Sequence, residues 1–178
     1  MVLTKAARAF ILHWGEMGTR WGVNRTVAQV HALLYLSGEP LTAEDIAETL
    51  SVARSNVSTS LRELQNWQLV QAAHQMGDRR DFFSTSHDVW QVFLTVVQQR
   101  VEREIEPTIA ALARLAAEAR GEKQPEITAR IAGMHALLQE LHGWYQQMTK
   151  LPSPTLRSLV KLGAGVTNRL PGLGKAKE

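Results

Sequence analysis

Residues 41–70, LTAEDIAETLSVARSNVSTSLRELQNWQLV, constrain this chain more than any other stretch. Two short amphipathic helical patterns are separated by three or four residues, which is the sequence form of a helix-turn-helix. Thr42 is placed to cap the first helix, with Asp45 at its third position as in a capping box. Leu41, Ile46, Ala47 and Leu50 share a face, and Ala47 is small enough to let a second helix cross closely. Ser51-Val52-Ala53 breaks the pattern. In the second helix Val57, Leu61 and Leu64 recur at steps of four and three and are expected to face inward. The opposite face holds Ser55, Thr59, Arg62 and Asn66, flanked by Asn56 and Ser58, with Arg54 at the helix start. A globular protein usually places Glu and Lys there. Hydroxyl and amide groups instead meet base edges or phosphates, and Arg binds guanine with two bonds or a phosphate with one. The plain alternative is a solvated polar face.

Trp67 to Ser86 sharpens the choice. Leu69-Val70 begins a strand that Gln71 to Gln75 continues, Gly77-Asp78-Arg79-Arg80-Asp81 makes a tight turn, and Phe82-Phe83-Ser84-Thr85 gives the returning strand. A hairpin directly after a recognition helix is a wing, and Arg79 or Arg80 at its tip suits the negative potential of an A·T-rich minor groove. In the plain reading Asp78 and Asp81 pair with these arginines in a solvated loop. Both hold together if an aspartate orients an arginine. Trp67 is expected in the core beneath the wing.

The stretch from Trp14 to about Trp90, with WGEMGTRWGVNRTVAQVHALLYLSGEP ahead of the helix-turn-helix and GDRRDFF and DVW behind it, resembles a MarR-type winged helix, and more closely its GbsR branch. The resemblance implies a homodimeric bacterial regulator, usually a repressor, that binds palindromic operators; some relatives sense choline or glycine betaine. MarR-like wings carry an Asp-x-Arg pattern, which falls here on Asp78 and Arg80. Ser51 and Gln68 stand where relatives often have Gly, so each either strains a turn or shows that the turn needs no positive φ.

The fold expected is therefore mainly α with a small β-hairpin wing, a winged helix-turn-helix followed by long C-terminal dimerisation helices. Residues 1–86 are expected to form the winged helix-turn-helix DNA-binding domain, its N-terminal helix contributing to the dimer core, 87–150 the helical dimerisation region, and 151–178 a short docked helix and flexible basic tail. An N-terminal helix from about Thr4 to Gly18 is expected to turn Ala6, Phe10, Leu12/His13 and Met17 inward. Asn24 caps a second helix over Thr26 to Leu36. After the wing, Ser86 or Asp88 starts a long helix whose apolar line runs through Val89, Phe93, Val97, Val101, Ile105, Ile109 and Leu112, with Pro107 kinking or dividing it. In the last long helix Ile127, Ile131, Met134, Leu138, Leu141, Tyr145 and Met148 alternate steps of four and three, a heptad seam. That seam fits a dimer interface, with packing inside one chain as the alternative. Thr155 to Leu162 is expected as a short helix docking Leu156, Leu159, Val160 and Leu162, with disorder beyond Gly163.

Composition excludes more than it selects. The 178 residues contain no Cys, which removes disulfides and thiolate chemistry, and no apolar run approaches a membrane span. The N-terminus lacks a signal-peptide cleavage region, so a cytoplasmic protein without membrane association is expected. The net charge of +3 lies in the tail: residues 1–149 carry 14 Lys/Arg against 16 Asp/Glu, a balance of −2, whereas 150–178 carry six against Glu178, a balance of +5. The case for DNA therefore rests on where the arginines stand rather than on total charge.

Six scattered His residues form no metal motif, with His135 and His142 about 10 Å apart along a helix. No nucleophile elbow or phosphate loop occurs. Neither enzymatic activity, nor a cofactor, nor a metal is expected. Trp14, Trp21 and Trp90 fall in segments that meet near the junction of DNA-binding and dimerisation helices in winged-helix dimers, and aromatic faces there would cage a quaternary ammonium effector; ordinary core packing is the alternative. Two functions stay open: a homodimeric, sequence-specific DNA-binding repressor, and a winged-helix interaction module or adaptor without an operator.

Overall fold

The computed structural model describes residues 2–121 and 124–166, and the chain divides into two compact units, 1–99 and 100–178. In the first unit the order is α1 (Lys5–Arg20), α2 (Arg25–Leu36), β1 (Leu41–Thr42), α3 (Ala43–Leu50), α4 (Arg54–Asn66), β2 (Gln71–His74), β3 (Asp81–Ser84) and the start of α5 (Val89–Arg100). The strands form an antiparallel sheet in the order β1-β3-β2. Phe83 pairs with Leu41 on one side and Ala72 on the other. A third strand of two residues was beyond the reach of sequence periodicity.

Side chains close the helix starts as their residue types dictate. Thr4 accepts from the Ala7 amide and Asn24 from the Thr26 amide. The Thr42 hydroxyl accepts from the Asp45 amide at 3.2 Å while the Asp45 carboxylate accepts from the Thr42 amide at 3.0 Å, a complete capping box. Ile46, Val57, Leu61 and Leu64 bury as the spacing required, around Val30, Leu33 and Leu34 of α2. The turn of the helix-turn-helix needs a positive φ: Ser51 sits at φ 55°, ψ 44°, and Gln68, closing α4, at φ 56°. Ser51→Gly is expected to raise stability by about 1 kcal/mol, read in denaturant unfolding, because a side chain in this region is strained.

α1 departs from its expected face. Ile11, Gly15 and Gly18 are buried, whereas Ala6, Leu12 and His13 are exposed and Phe10 and Met17 half-buried. The glycines explain the rotation. A Cβ on Gly18 would stand 2.5 Å from the Ala28 Cβ, and one on Gly15 2.7 Å from the Gln29 Cγ. The two helices thus cross on bare backbone. Gly18→Ala gains about 1 kcal/mol of helix propensity but loses about 1–3 kcal/mol to overpacking against a methyl that cannot rotate away. A net loss of up to about 2 kcal/mol and a lower melting temperature are expected. Trp67 is also corrected: it caps the C-terminus of α4, half-buried and apart from the core cluster.

In the second unit a π-helical turn, Val101–Ile105, carries the chain from α5 into α6 (Glu106–Ala119). Pro107 lies in the first turn of α6. It has no N–H to bond backward, so the wider turn before it absorbs the break, and Pro107 divides the helix. α6 packs on α7 (Pro125–Met148), where Thr128 donates to the Ala119 carbonyl at 2.8 Å and His142 meets Glu106 at 3.3 Å. Ile131, Leu138 and Tyr145 of the expected seam are half-buried, while Ile127, Met134 and Leu141 are exposed. α8 runs Ser153–Val166, longer than expected. Leu159, Val160 and Leu162 are exposed on it and only Leu156 is half-buried, so most of its apolar side is not docked. The tail after Val166 lies outside the described residues.

Candidate nucleic-acid interface

α4 starts without a side-chain cap, at Ala53, and its first turn projects Arg54, Ser55 and Asn56 into solvent. Thr59, Arg62 and Asn66 continue the exposed edge, and Ser58 is half-buried beside it. Ser60 is buried with Val57, Leu61 and Leu64 and takes no part. Opposite faces of one helix thus separate the core from a strip of hydroxyl, amide and guanidinium groups.

The arginines differ in how they are held. Arg54 Nε lies 2.6 Å from Glu44 of α3, which ties it to the first helix of the motif. Arg80 is gripped by Asp78: its Nε lies 3.0 and 3.1 Å from the two carboxylate oxygens, its Nη2 2.6 Å from one, and its own amide donates to Asp78 at 3.0 Å. These bonds push the Asp78 carboxyl down to about 2 and raise the guanidinium further above its ordinary value. The Arg80 guanidinium also sits 5.6 Å from the centre of the Phe82 ring. Asp81 does not pair with an arginine, as the plain alternative would have it; it meets His74 across the hairpin at 3.0 Å. Among the described residues no carboxylate pairs with Arg62 or Arg79. Asp78 therefore acts on Arg80, and Arg62 and Arg79 are the unneutralised cations.

Within the first unit, Phe10, Trp14, His31, Tyr35, Val89 and Val92 line an almost wholly apolar cavity of about 190 Å³. Phe10 and Trp14 stack at 5.4 Å. Of the three tryptophans singled out above, only Trp14 lines it; Trp21 is 57% exposed at the end of α1, and Trp90 packs edge-on to Phe93. Phe10, which helical spacing already turned inward, and Tyr35 with His31 supply the other rings, and nothing in its local sequence marks Tyr35. Burial pushes the His31 imidazole down to about 4, so it is neutral at pH 7. Its Nε2 lies 3.4 Å from the Thr85 hydroxyl, which donates to the Leu69 carbonyl at 2.6 Å. Since the single O–H of Thr85 is directed at Leu69, the ring tautomer compatible with this contact carries its proton on Nε2. A polar thread thus runs from the cavity to the residue that follows α4 and its turn. Among the described residues no His, Asp and Glu cluster could hold a metal, and no helix is long and apolar enough to cross a membrane.

Residues 21–81, which take in α2, the helix-turn-helix, β2 and the wing tip and end at the first residue of β3, match the MarR family. Among curated proteins of Bacillus subtilis (strain 168), YvaV is 23% identical over 95 residues, 53% of this chain and 54% of that protein. The HTH-type transcriptional repressor GbsR is 24% identical over 92 residues, 52% of this chain and 51% of that protein. OpcR, also named a transcriptional repressor, is 22% identical over 76 residues, 43% of this chain and 41% of that protein. The chain spans about half the length of the curated relatives it matches. A crystal structure of a transcriptional regulator superposes with a TM-score of 0.54 at 21% identity, covering 80% of this chain and 99% of that one. The fold is a winged helix, with the MarR-family match confined to residues 21–81, and the relatives named by role are regulators of transcription.

Proposed function

We propose that the chain is a sequence-specific DNA-binding transcriptional regulator, a cytoplasmic homodimer of the GbsR branch that represses from a palindromic operator. The observation that carries this reading is the exposed edge of α4. Ser55, Asn56, Thr59 and Arg62 share it, none is used by the core, and a wing with Arg79 and the Asp78-held Arg80 follows. An apolar stripe there would have fitted a protein partner instead. In vitro selection of random duplex DNA near physiological salt is the test. An enriched palindrome with half-sites about one helical turn apart is expected. Weak, salt-sensitive binding without enrichment would return the choice to an interaction module.

One helix-turn-helix reads few base pairs, so affinity gains from pairing two. α7 supports residues 87–150 as the pairing region. It is 24 residues long, has no fully buried residue, and leaves Ile127, Met134, Leu137, Leu141 and Trp144 about half exposed. A row of this kind on a solvated monomer is unfavourable and fits a second copy. Leu137→Glu with Leu141→Glu is expected to halve the mass in sedimentation while leaving helicity intact. An unchanged mass would rule out this seam.

The effector reading moves from the three tryptophans to the cavity of Phe10, Trp14 and Tyr35. Its rings offer cation–π faces, and a neutral His31 places no opposing charge beside them. A quaternary ammonium ligand there would reach α4 through His31, Thr85 and Leu69 and shift operator affinity. Choline titration followed by tryptophan fluorescence, with Trp14→Leu as control, checks it; equal quenching in both proteins would refute the site.

A further inference from the structure

A second cavity, of about 230 Å³, opens at the base of the wing. It differs from the apolar one in kind. Three side-chain amides border it, those of Gln68, Gln71 and Gln91. The hydroxyls of Thr85, Ser86 and Thr95 add to these, and Leu69 and Val92 give it an apolar patch. None of the residues lining it is ionisable. A charged ligand would find no counter-charge here, and an apolar one would strip water from many polar groups without replacing their bonds. Amides and hydroxyls together both donate and accept, which is the pattern that neutral vicinal hydroxyls require.

Two features show that these groups are arranged rather than scattered. Gln68 holds φ 56°, a conformation that glycine adopts freely and glutamine under strain. The turn itself needs only the backbone, through Gln68 N–H to the Gln65 carbonyl and Leu69 N–H to the Leu64 carbonyl, both at 2.9 Å. The side chain is thus kept at the cavity edge at a cost that glycine would remove. The hydroxyls are also pre-oriented. Ser86 accepts from the Asp88 amide at 3.2 Å and donates to Gln91 Oε1 at 2.8 Å, so the NH₂ of Gln91 is the group left to donate. Thr85 spends its proton on Leu69 and accepts from His31, which leaves one lone pair of its oxygen as an acceptor.

We propose that this cavity binds a small neutral polyhydroxylated molecule, of monosaccharide or cyclic-polyol size. The inference stands on the cavity alone and does not rest on the DNA-binding reading. Polyols raise melting temperatures of most proteins by exclusion from the surface, so thermal shift is the wrong readout. Two-dimensional amide NMR of the full chain, titrated with glucose and with myo-inositol, reads the site directly. A saturable shift of the Gln68, Gln71 and Gln91 side-chain NH₂ signals is expected with at least one of them. Gluconate, which is charged, and cyclohexanol, which has one hydroxyl, are expected to bind at least about tenfold more weakly, as the loss of matched hydrogen bonds requires. Gln68→Gly removes an amide while relieving the backbone, so this variant is expected to melt higher and yet bind about tenfold more weakly. Thr95→Val is expected to weaken binding likewise. Absence of saturable shifts with both polyols overturns the proposal. So does unchanged affinity in both variants, or equal binding of gluconate or cyclohexanol.

Discussion

Replacing Arg62 with alanine is expected to lower affinity for the selected operator about ten- to a hundredfold. Arg62 lies on the exposed edge of α4, and among the described residues no carboxylate neutralises it, so its whole charge is available to the duplex. The pattern of the loss assigns its partner. A fall confined to the operator, with relaxed preference at one base pair, means a base edge; a uniform fall with a shallower salt dependence means a phosphate. Arg80→Ala is expected to weaken binding by a similar factor, and its neighbour supplies a stricter test. Asp78 carries a negative charge towards a polyanion, so if it only neutralised Arg80, Asp78→Asn would tighten binding. The two-pronged grip at 2.6–3.1 Å, with Phe82 beneath the guanidinium, argues that it aims Arg80 instead. Asp78→Asn is therefore expected to lower operator affinity despite removing the charge. Tighter operator binding by this variant in fluorescence anisotropy would show that the aspartate is a brake. Arg54→Ala is expected to cost less, since Glu44 already holds that guanidinium.

What was legible in the sequence, and what was not, follows from the range of the interactions involved. The Thr42–Asp45 capping box, the Asn24 cap and the split between the inner and outer faces of α4 are decided within one or two helical turns, and periodicity shows them. Departures from glycine at Ser51 and Gln68 left open whether those turns need positive φ, and the backbone answers that they do. The buried face of α1 is not the one hydrophobicity marks, because large apolar residues dominate that signal, whereas this helix buries Gly15 and Gly18 where α2 comes too close for a Cβ. The α7 line through Ile131, Leu138 and Tyr145 borders two surfaces. Thr128 and His142 meet α6 on the half-buried side, and Leu137 and Trp144 complete the exposed one. A heptad pattern gives a stripe but does not say which neighbour covers which edge. Within the site, the outward residues of α4 were readable but their ion pairs were not, since Arg54 answers to Glu44 ten positions earlier. The apolar cavity joins residues as far apart as Phe10 and Val92, the wing-base cavity joins Gln68 to Thr95, and no local signal announces that Tyr35 or Thr85 lines them.

The largest stability effect is expected from His31 and acid. Burial holds its imidazole near 4, against 6.5 for the free side chain, so the unfolded chain binds the proton more readily than the folded one. Above pH 6.5 neither state is protonated at this ring and its contribution is fully present. As pH falls from 6.5 towards 4 the unfolded state alone takes up the proton and stability is lost; below 4 both states are protonated and the loss levels off. The shift corresponds to about 3 kcal/mol, a large share of the margin of a typical domain. Carboxylates titrate in the same range, so the measurement is a difference. Wild type and His31→Leu, unfolded in urea between pH 7.5 and 4, are expected to diverge by about 3 kcal/mol, with the variant less acid-sensitive. Thr85 keeps its bond to Leu69 in that variant, so the end of α4 stays closed. Parallel pH profiles would mean that His31 reaches water in solution and that the apolar cavity is wetter than its lining suggests. The same titration bears on the effector. A cation among Phe10, Trp14 and Tyr35 meets a neutral ring at pH 7 and a charged one below about 4, so choline affinity is expected to hold down to pH 5 and fall beyond it. In His31→Leu that fall should vanish while binding at pH 7 survives, which separates the ring's charge from its packing.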